Sequence, residues 1–282
     1  MKTQARLVTL LLVAAALLST AGCNKLMARD QLNKGVQAYR SANYEQAIEH
    51  FKNAVALDDD LKVAKLYLAT AYTSQYVPDV DTPENLRMAQ QAIEEYQRVL
   101  DRDPDSVNSL KGIGYLYLHM KKFDQSREYY QKAIAKDPND PELYYSLGVI
   151  DWTEAFKDAR EIKAQYQMRE EEELNAKKDA KLCELFKTKD GAIVDDGMTA
   201  LKTAIDKRQD YDDAMVYLNL LYLRKANDLT CDDPQQRADD KAAANGWSDK
   251  AMAARKKKAE DAAKKNQGGI VLEATPTPSP QK

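Results

Sequence analysis

The sequence predicts an all-α fold of repeated helix pairs, broken by one long helical insertion. Three observations predict it. Only 10 glycines and 9 prolines occur in 282 residues, while 31% of the side chains are charged; such a composition favours helix over sheet. A pattern of small and aromatic residues recurs along the chain with a period of about 34 residues, the mark of a helix-turn-helix array. No glycine or proline interrupts the run from Trp152 to Asp190, so a long helical excursion or a helical hairpin is expected there.

The chain opens on an address. Lys2 and Arg6 form a positive stretch, Leu7 to Leu18 an apolar one, and Ser19-Thr20-Ala21-Gly22 supply small residues before Cys23. This is the plan of a secretory signal, and the apolar run is well short of the ~20 residues that a spanning helix needs. Ala21-Gly22-Cys23 resembles the bacterial lipobox, although Thr20 stands where leucine is usual. By that resemblance, residues 1–22 are a lipoprotein signal peptide and Cys23 is the acylated N-terminus of the mature chain, residues 23–27 being its lipidated start. An ordinary cleavage site with a free thiol is the alternative. Asn24 follows where aspartate typically marks inner-membrane retention, so the periplasmic face of the outer membrane is favoured over the inner membrane.

The repeats follow. Residues 107–140 are the clearest unit. Ile113, Gly114 and Tyr117 occupy its positions 7, 8 and 11, and Phe123, Ser126, Tyr130, Ala133 and Pro138 its positions 17, 20, 24, 27 and 32. Two antiparallel helices approach closely only where small residues let the backbones meet and larger ones fill the space beside them. Residues 28–61 repeat the pattern with Gly35, Tyr44, Ala47, Phe51 and Ala54, with Asp59 where proline is expected. Residues 62–106 do so with Leu68, Ala69, Tyr72, Ala92, Tyr96 and Pro104, after a loop insertion containing Pro78 and Pro83. A fourth unit, 141–211, starts with Tyr144, Leu147 and Gly148, loses register at Trp152, and recovers it at Gly197, Leu201 and Ala204; its insertion covers about 153–193. A fifth unit with capping helices is expected over 212–263, and a disordered Thr/Pro-rich tail over 264–282.

This pattern resembles the tetratricopeptide (TPR) family. The resemblance implies a right-handed superhelical solenoid whose concave groove, lined by first helices, grips protein partners. At groove positions stand Tyr39, Arg40, Lys111, Tyr115, Tyr145 and Trp152, which suit an apolar partner segment. The alternative is that these aromatics pack against the chain's own insertion. Leu32 and Val36 occupy places where the family's carboxylate clamp wants asparagine or a cation, so capture of a chaperone's C-terminal carboxylate is not expected.

Other functions find little footing. The net charge is −3, with both signs interspersed, and shows no electrostatic footprint for nucleic acid. Removing residues 1–22 makes the chain more acidic by two charges, since Lys2 and Arg6 leave with no acid. His50 and His119 stand apart, and no phosphate loop, nucleophile elbow or HExxH occurs, so neither catalysis, a metal nor a cofactor is expected. Glu170 to Glu173 read as a solvated helix face rather than a binding patch, with Glu173–Lys177 as a supporting pair. With Cys23 acylated, Cys183 and Cys231 remain as an even pair in an oxidising compartment. A disulfide and two buried thiols are the alternatives.

The expectation is thus a lipid-anchored, periplasmic interaction scaffold that aids or holds an envelope complex. An envelope enzyme subunit with its site in the insertion, or a structural spacer, are the rivals.

Overall fold

The computed structural model describes residues 23–267, apart from residues 79 and 176. The signal segment and most of the Thr/Pro-rich tail lie outside the described residues. No strand occurs among the described residues, and no helix among them is long and apolar enough to cross a membrane. The all-α expectation holds. Two compact units divide at residue 139.

The first unit holds three helix pairs. They are α1 (residues 23–40) with α2 (Tyr44–Leu57), α3 (Lys62–Gln75) with α4 (Pro83–Leu100), and α5 (Val107–His119) with α6 (Phe123–Lys136). Local chemistry sets several of the boundaries. The Asn43 side chain accepts from the Gln46 amide to start α2, and Thr82 accepts from the Asn85 amide ahead of a proline in the first turn of α4. Ala42 and Lys121, in the turns that close α1 and α5, adopt φ of 56° and 59°, the left-handed turn with which helices commonly end.

The repeat register is visible as contacts. A Cβ on Gly35 would collide with the Phe51 ring, and one on Gly114 with the Tyr130 ring. Position 8 is therefore small because position 24 lies across it. Ser126 donates to the Gly114 carbonyl at 2.7 Å within the same crossing, and Ala133 is fully buried beside it in α6. Asp59, the departure from the proline pattern, pairs with the buried Lys65 at 2.6 Å and with Arg102. The Lys65 hydrogen bond leads in holding the Asp59 carboxyl below its ordinary range.

The loop insertion between α3 and α4 is clamped by one side chain. The Val77 amide donates to Asn85 Oδ1 at 2.7 Å, and Asn85 Nδ2 donates to the carbonyls of Val77 and Val80 at 2.7 and 2.6 Å. Asn85 is buried, and these bonds supply the partners that its amide needs.

The second unit contains α7 (Pro141–Gln165), α8 (Ala180–Lys207), α9 (Asp212–Arg224), a π-helical turn (Lys225–Leu229) and α10 (Pro234–Gln267). Gly148 lies against Leu201, so that a Cβ would collide with it; the interrupted register resumes in the same small-against-large crossing. The core joins Phe186, Val194, Leu201, Leu218 and Leu221, each worth roughly 1.5–3 kcal/mol on burial.

The insertion takes the second of the two forms expected, a helical hairpin, made by elongating α7 and α8, which pack against each other. Two expectations change here. Glu170 to Glu173 do not lie on a helix, because residues 166–175 leave the helical path, the turn being made at Gln167 with φ 57°. Lys163 holds the segment that follows. It is fully buried in α7, and its ammonium donates to the Glu170 and Glu172 carbonyls at 2.8 and 2.7 Å. A buried ammonium needs such partners, and these two carbonyls, outside any helix, supply them. Glu173 pairs with Lys241 rather than Lys177. Finally, the capping region is a single helix, α10, which runs past residue 263 to Gln267; Gly246 is exposed within it and does not break it.

Candidate partner-binding faces

In the first unit, the first helices of successive pairs carry a run of side chains linked from helix to helix. The Tyr39 hydroxyl lies 2.9 Å from the Ser74 hydroxyl, joining α1 to α3. The Tyr76 hydroxyl at the end of α3 donates to the His119 carbonyl at 3.2 Å, joining α3 to α5. The His119 ring in turn rests against Tyr115, with centroids 4.2 Å apart. Tyr96 reaches in from α4, its ring against Gly112, and sets the spacing of α3 and α5.

On this face Tyr115 is 38% exposed, an aromatic that is supported from one side and open on the other. Burial of its supported side holds the phenol above its ordinary pKa, so it stays a neutral donor. Arg40 is exposed at the end of α1, and Lys111 lies half-buried one turn before Tyr115. Tyr39 is half-buried, with its ring 5.4 Å from Tyr44.

The second unit treats its aromatics differently. Tyr145 lies between Tyr211 at 5.0 Å and Tyr217 at 5.7 Å, and Trp152 lies between Phe156 at 5.1 Å and Tyr217 at 5.2 Å. The Tyr211 hydroxyl donates to Glu142 at 2.7 Å, and Arg208 pairs with the same carboxylate at 2.8 Å. Burial raises the Tyr145 and Tyr211 phenols well above their ordinary range. These rings form a half-buried aromatic layer between α7 and α9. Tyr145 and Trp152, two of the six groove residues expected from the sequence, are thus engaged by the chain itself, through α9 and the elongated end of α7. Tyr217, which binds the layer together, was not expected; it stands at a repeat position that does not line the groove. The Trp152–Phe156 pair was open to recognition from its i, i+4 spacing alone.

Two further clusters lie in this unit. Cys183 and Cys231 face each other with Cα atoms 6.3 Å apart, within bridging range. With Asp232 they bring three ligand-type atoms within 4.8 Å of one another, but the Lys187 ammonium already holds both Asp232 oxygens at 2.6 and 2.7 Å. That arrangement fits a sulfur bridge better than a cation site. Asp190 is 1% exposed beside Asp158, and neither of its oxygens has a hydrogen-bond partner. Burial above all, then the Asp158 charge, push it up to about 7.

Comparison with known proteins fits this geometry. Residues 87–148 match the family model described as tetratricopeptide repeat. The general transcriptional corepressor ssn6 of Schizosaccharomyces pombe is 31% identical over 117 residues, covering 39% of this chain and 11% of that protein. Hsp70-Hsp90 organizing protein 2 of Arabidopsis thaliana is 27% identical over 114 residues, covering 40% and 18%. The chain thus spans less than a fifth of these relatives' length. Among solved structures, MamA 41-end from Desulfovibrio magneticus RS-1 superposes with a TM-score of 0.54 at 16% identity, covering 82% of this chain and 96% of that one. A crystal structure of MamA gives 0.52 at 15% identity, covering 80% and 96%. At such identities the likeness is one of fold.

Proposed function

Because the chain carries tetratricopeptide repeats, we propose that it is a protein–protein interaction scaffold, anchored by lipid on Cys23 and facing the periplasm, that helps assemble or hold a complex of the bacterial envelope. The outer membrane is the favoured site of the anchor. The observation that carries the interaction reading is Tyr115: an aromatic on the first-helix face, supported by His119 and open to solvent over 38% of its surface. Aromatic and arginine side chains are the usual anchors of partner binding, and Arg40 and Lys111 supply cations on the same unit. The Hsp70-Hsp90 organizing proteins, by their name, bring other proteins together, which is support in kind. Leu32 and Val36 still argue against the carboxylate clamp that the family resemblance would otherwise imply.

The rival enzyme reading would be favoured by a defined pocket holding paired carboxylates or the cysteine pair; Cys183 and Cys231 are buried. Asp158 and Asp190 are paired but only 6% and 1% exposed, too enclosed to meet a substrate. The spacer reading would need a polar face, and Tyr115 stands against it.

The test uses the lipidated full-length chain in its own envelope. Tyr115→Ala together with Arg40→Ala is expected to lose the co-purifying envelope protein while keeping the helical circular dichroism spectrum and a single cooperative melt lowered by no more than about 5 °C. Labelled fatty acid is expected on the wild type and absent from Cys23→Ser. Retention of every partner by the double variant would remove Tyr115 and Arg40 from the working surface, and an unlabelled wild type would remove the anchor.

A further inference from the structure

The described chain begins as helix at Cys23. Cys23, Leu26 and Met27 stand at i, i+3 and i+4, which an α-helix stacks on one face. That face is bare. Cys23 is exposed, Leu26 is 71% exposed and Met27 53%. Ala28, by contrast, is fully buried, so α1 packs through a different face. Single exposed apolar residues are ordinary on proteins. Here two adjacent ones share a helical turn with the cysteine that is expected to bear acyl chains, and that coincidence calls for an account.

We propose that the first turn of α1 lies in the headgroup region of the bilayer, with Leu26 and Met27 inserted beside the lipid of Cys23. The proposal rests on the anchor reading given above and deepens it. Acyl chains on Cys23 must enter the membrane, and one helical turn advances only ~5.4 Å. Leu26 and Met27 therefore cannot stand clear of the interface, where amphipathic helices bury their apolar side ~5–10 Å deep. Arg29, exposed, stands one turn after Leu26 at the edge of the stripe, and a basic side chain beside an inserted apolar face reaches up to lipid phosphates. Asp30, which continues the stripe a turn further on, is paired with Lys34 at 2.7 Å. The occupant is thus a phospholipid surface. The consequence is orientation. A lipid on a flexible leader would let the repeats swing, whereas a helix seated at its first turn holds the first unit at a set attitude to the membrane.

The experiment places a diazirine amino acid at position 26 of the full-length chain in its own envelope, with a second chain carrying it at position 125, exposed on α6. After illumination, phospholipid mass is expected on the peptide holding position 26 and not on that holding position 125. Adducts at 26 to protein only, whether a second copy or another partner, would overturn the seating, as would no adduct at all. The mass of the Cys23 peptide in the same samples separates the causes. An unmodified Cys23 would take the anchor reading with it; an acylated Cys23 without lipid adduct at 26 would remove the seating alone.

Discussion

Ala133 and Tyr115 occupy two helices of one pair and have opposite duties. Ala133 is fully buried on α6, where Ala133→Arg would enclose a charge without a partner and cost several kcal/mol, roughly 3–5. Tyr115→Ala removes a ring open on one side and should cost about 1 kcal/mol or less, in the range of ordinary surface substitutions. Circular dichroism melts showing equal damage would contradict this division of core from face. Asp190 offers a second test at this scale. Its carboxyl is raised from 3.8 to about 7 by burial first and by Asp158 and Asp228 after, with Lys189 opposing. Between those values the folded state holds the proton more tightly than the unfolded one, so stability is full at acid pH and falls as pH rises toward 7. Asp190→Asn should abolish that decline and leave the variant more stable than wild type at pH 8, by up to a few kcal/mol. Urea titrations across pH 4 to 8 would measure it; an unchanged slope in the variant would contradict the assignment.

Single elements show where the sequence was readable and where it was not. Small-against-large crossings were legible, because Gly35 with Phe51 and Gly114 with Tyr130 follow from the repeat spacing, and Gly148 with Leu201 from the register recovered after the insertion. The path of residues 166–175 was not. Nothing in their composition breaks a helix; α7 ends at a left-handed turn at Gln167, and the chain beyond is held over the buried Lys163 ammonium. Lys163 lies 2.6 Å from the fully buried Asp228, which Arg224 also holds at 2.6 Å. Burial lowers the Lys163 pKa despite the Asp228 charge. Lys163→Ala would leave Asp228 short of one partner and release the Glu170 and Glu172 carbonyls, so a loss of roughly 3–5 kcal/mol is expected. Adding Asp228→Asn should return part of it, and a double variant as weak as the sum of the singles would show that the two do not act together. The cysteines tie the same region. A bridge between Cys183 and Cys231, 48 residues apart, would stabilise by about 4 kcal/mol through chain entropy. A reductant should lower the denaturant midpoint, and mass spectrometry should find two fewer hydrogens; free thiols at Cys183 and Cys231 in protein isolated from its native cells without reductant would contradict the bridge.

Across the molecule as a whole, repeat spacing marked the candidate face but could not say which of its aromatics were free. Tyr145 and Trp152 carry the same kind of signature as Tyr115, yet their neighbours come from elsewhere in the chain: Tyr211 and Tyr217 lie more than sixty residues beyond Tyr145 in the sequence. Occupancy of a face is set by such distant contacts, which no local pattern records. Tyr115, with only His119 of its own helix against it among the ring contacts described, is left as the aromatic through which a partner would be held. The most direct measurement is therefore photo-cross-linking from position 115 of the full-length chain in its native cells. One specific protein in the adduct is the result expected of a scaffold that works through this face. Adducts confined to the chain itself, or none, would mean that the face holds no partner and that the protein works by another surface.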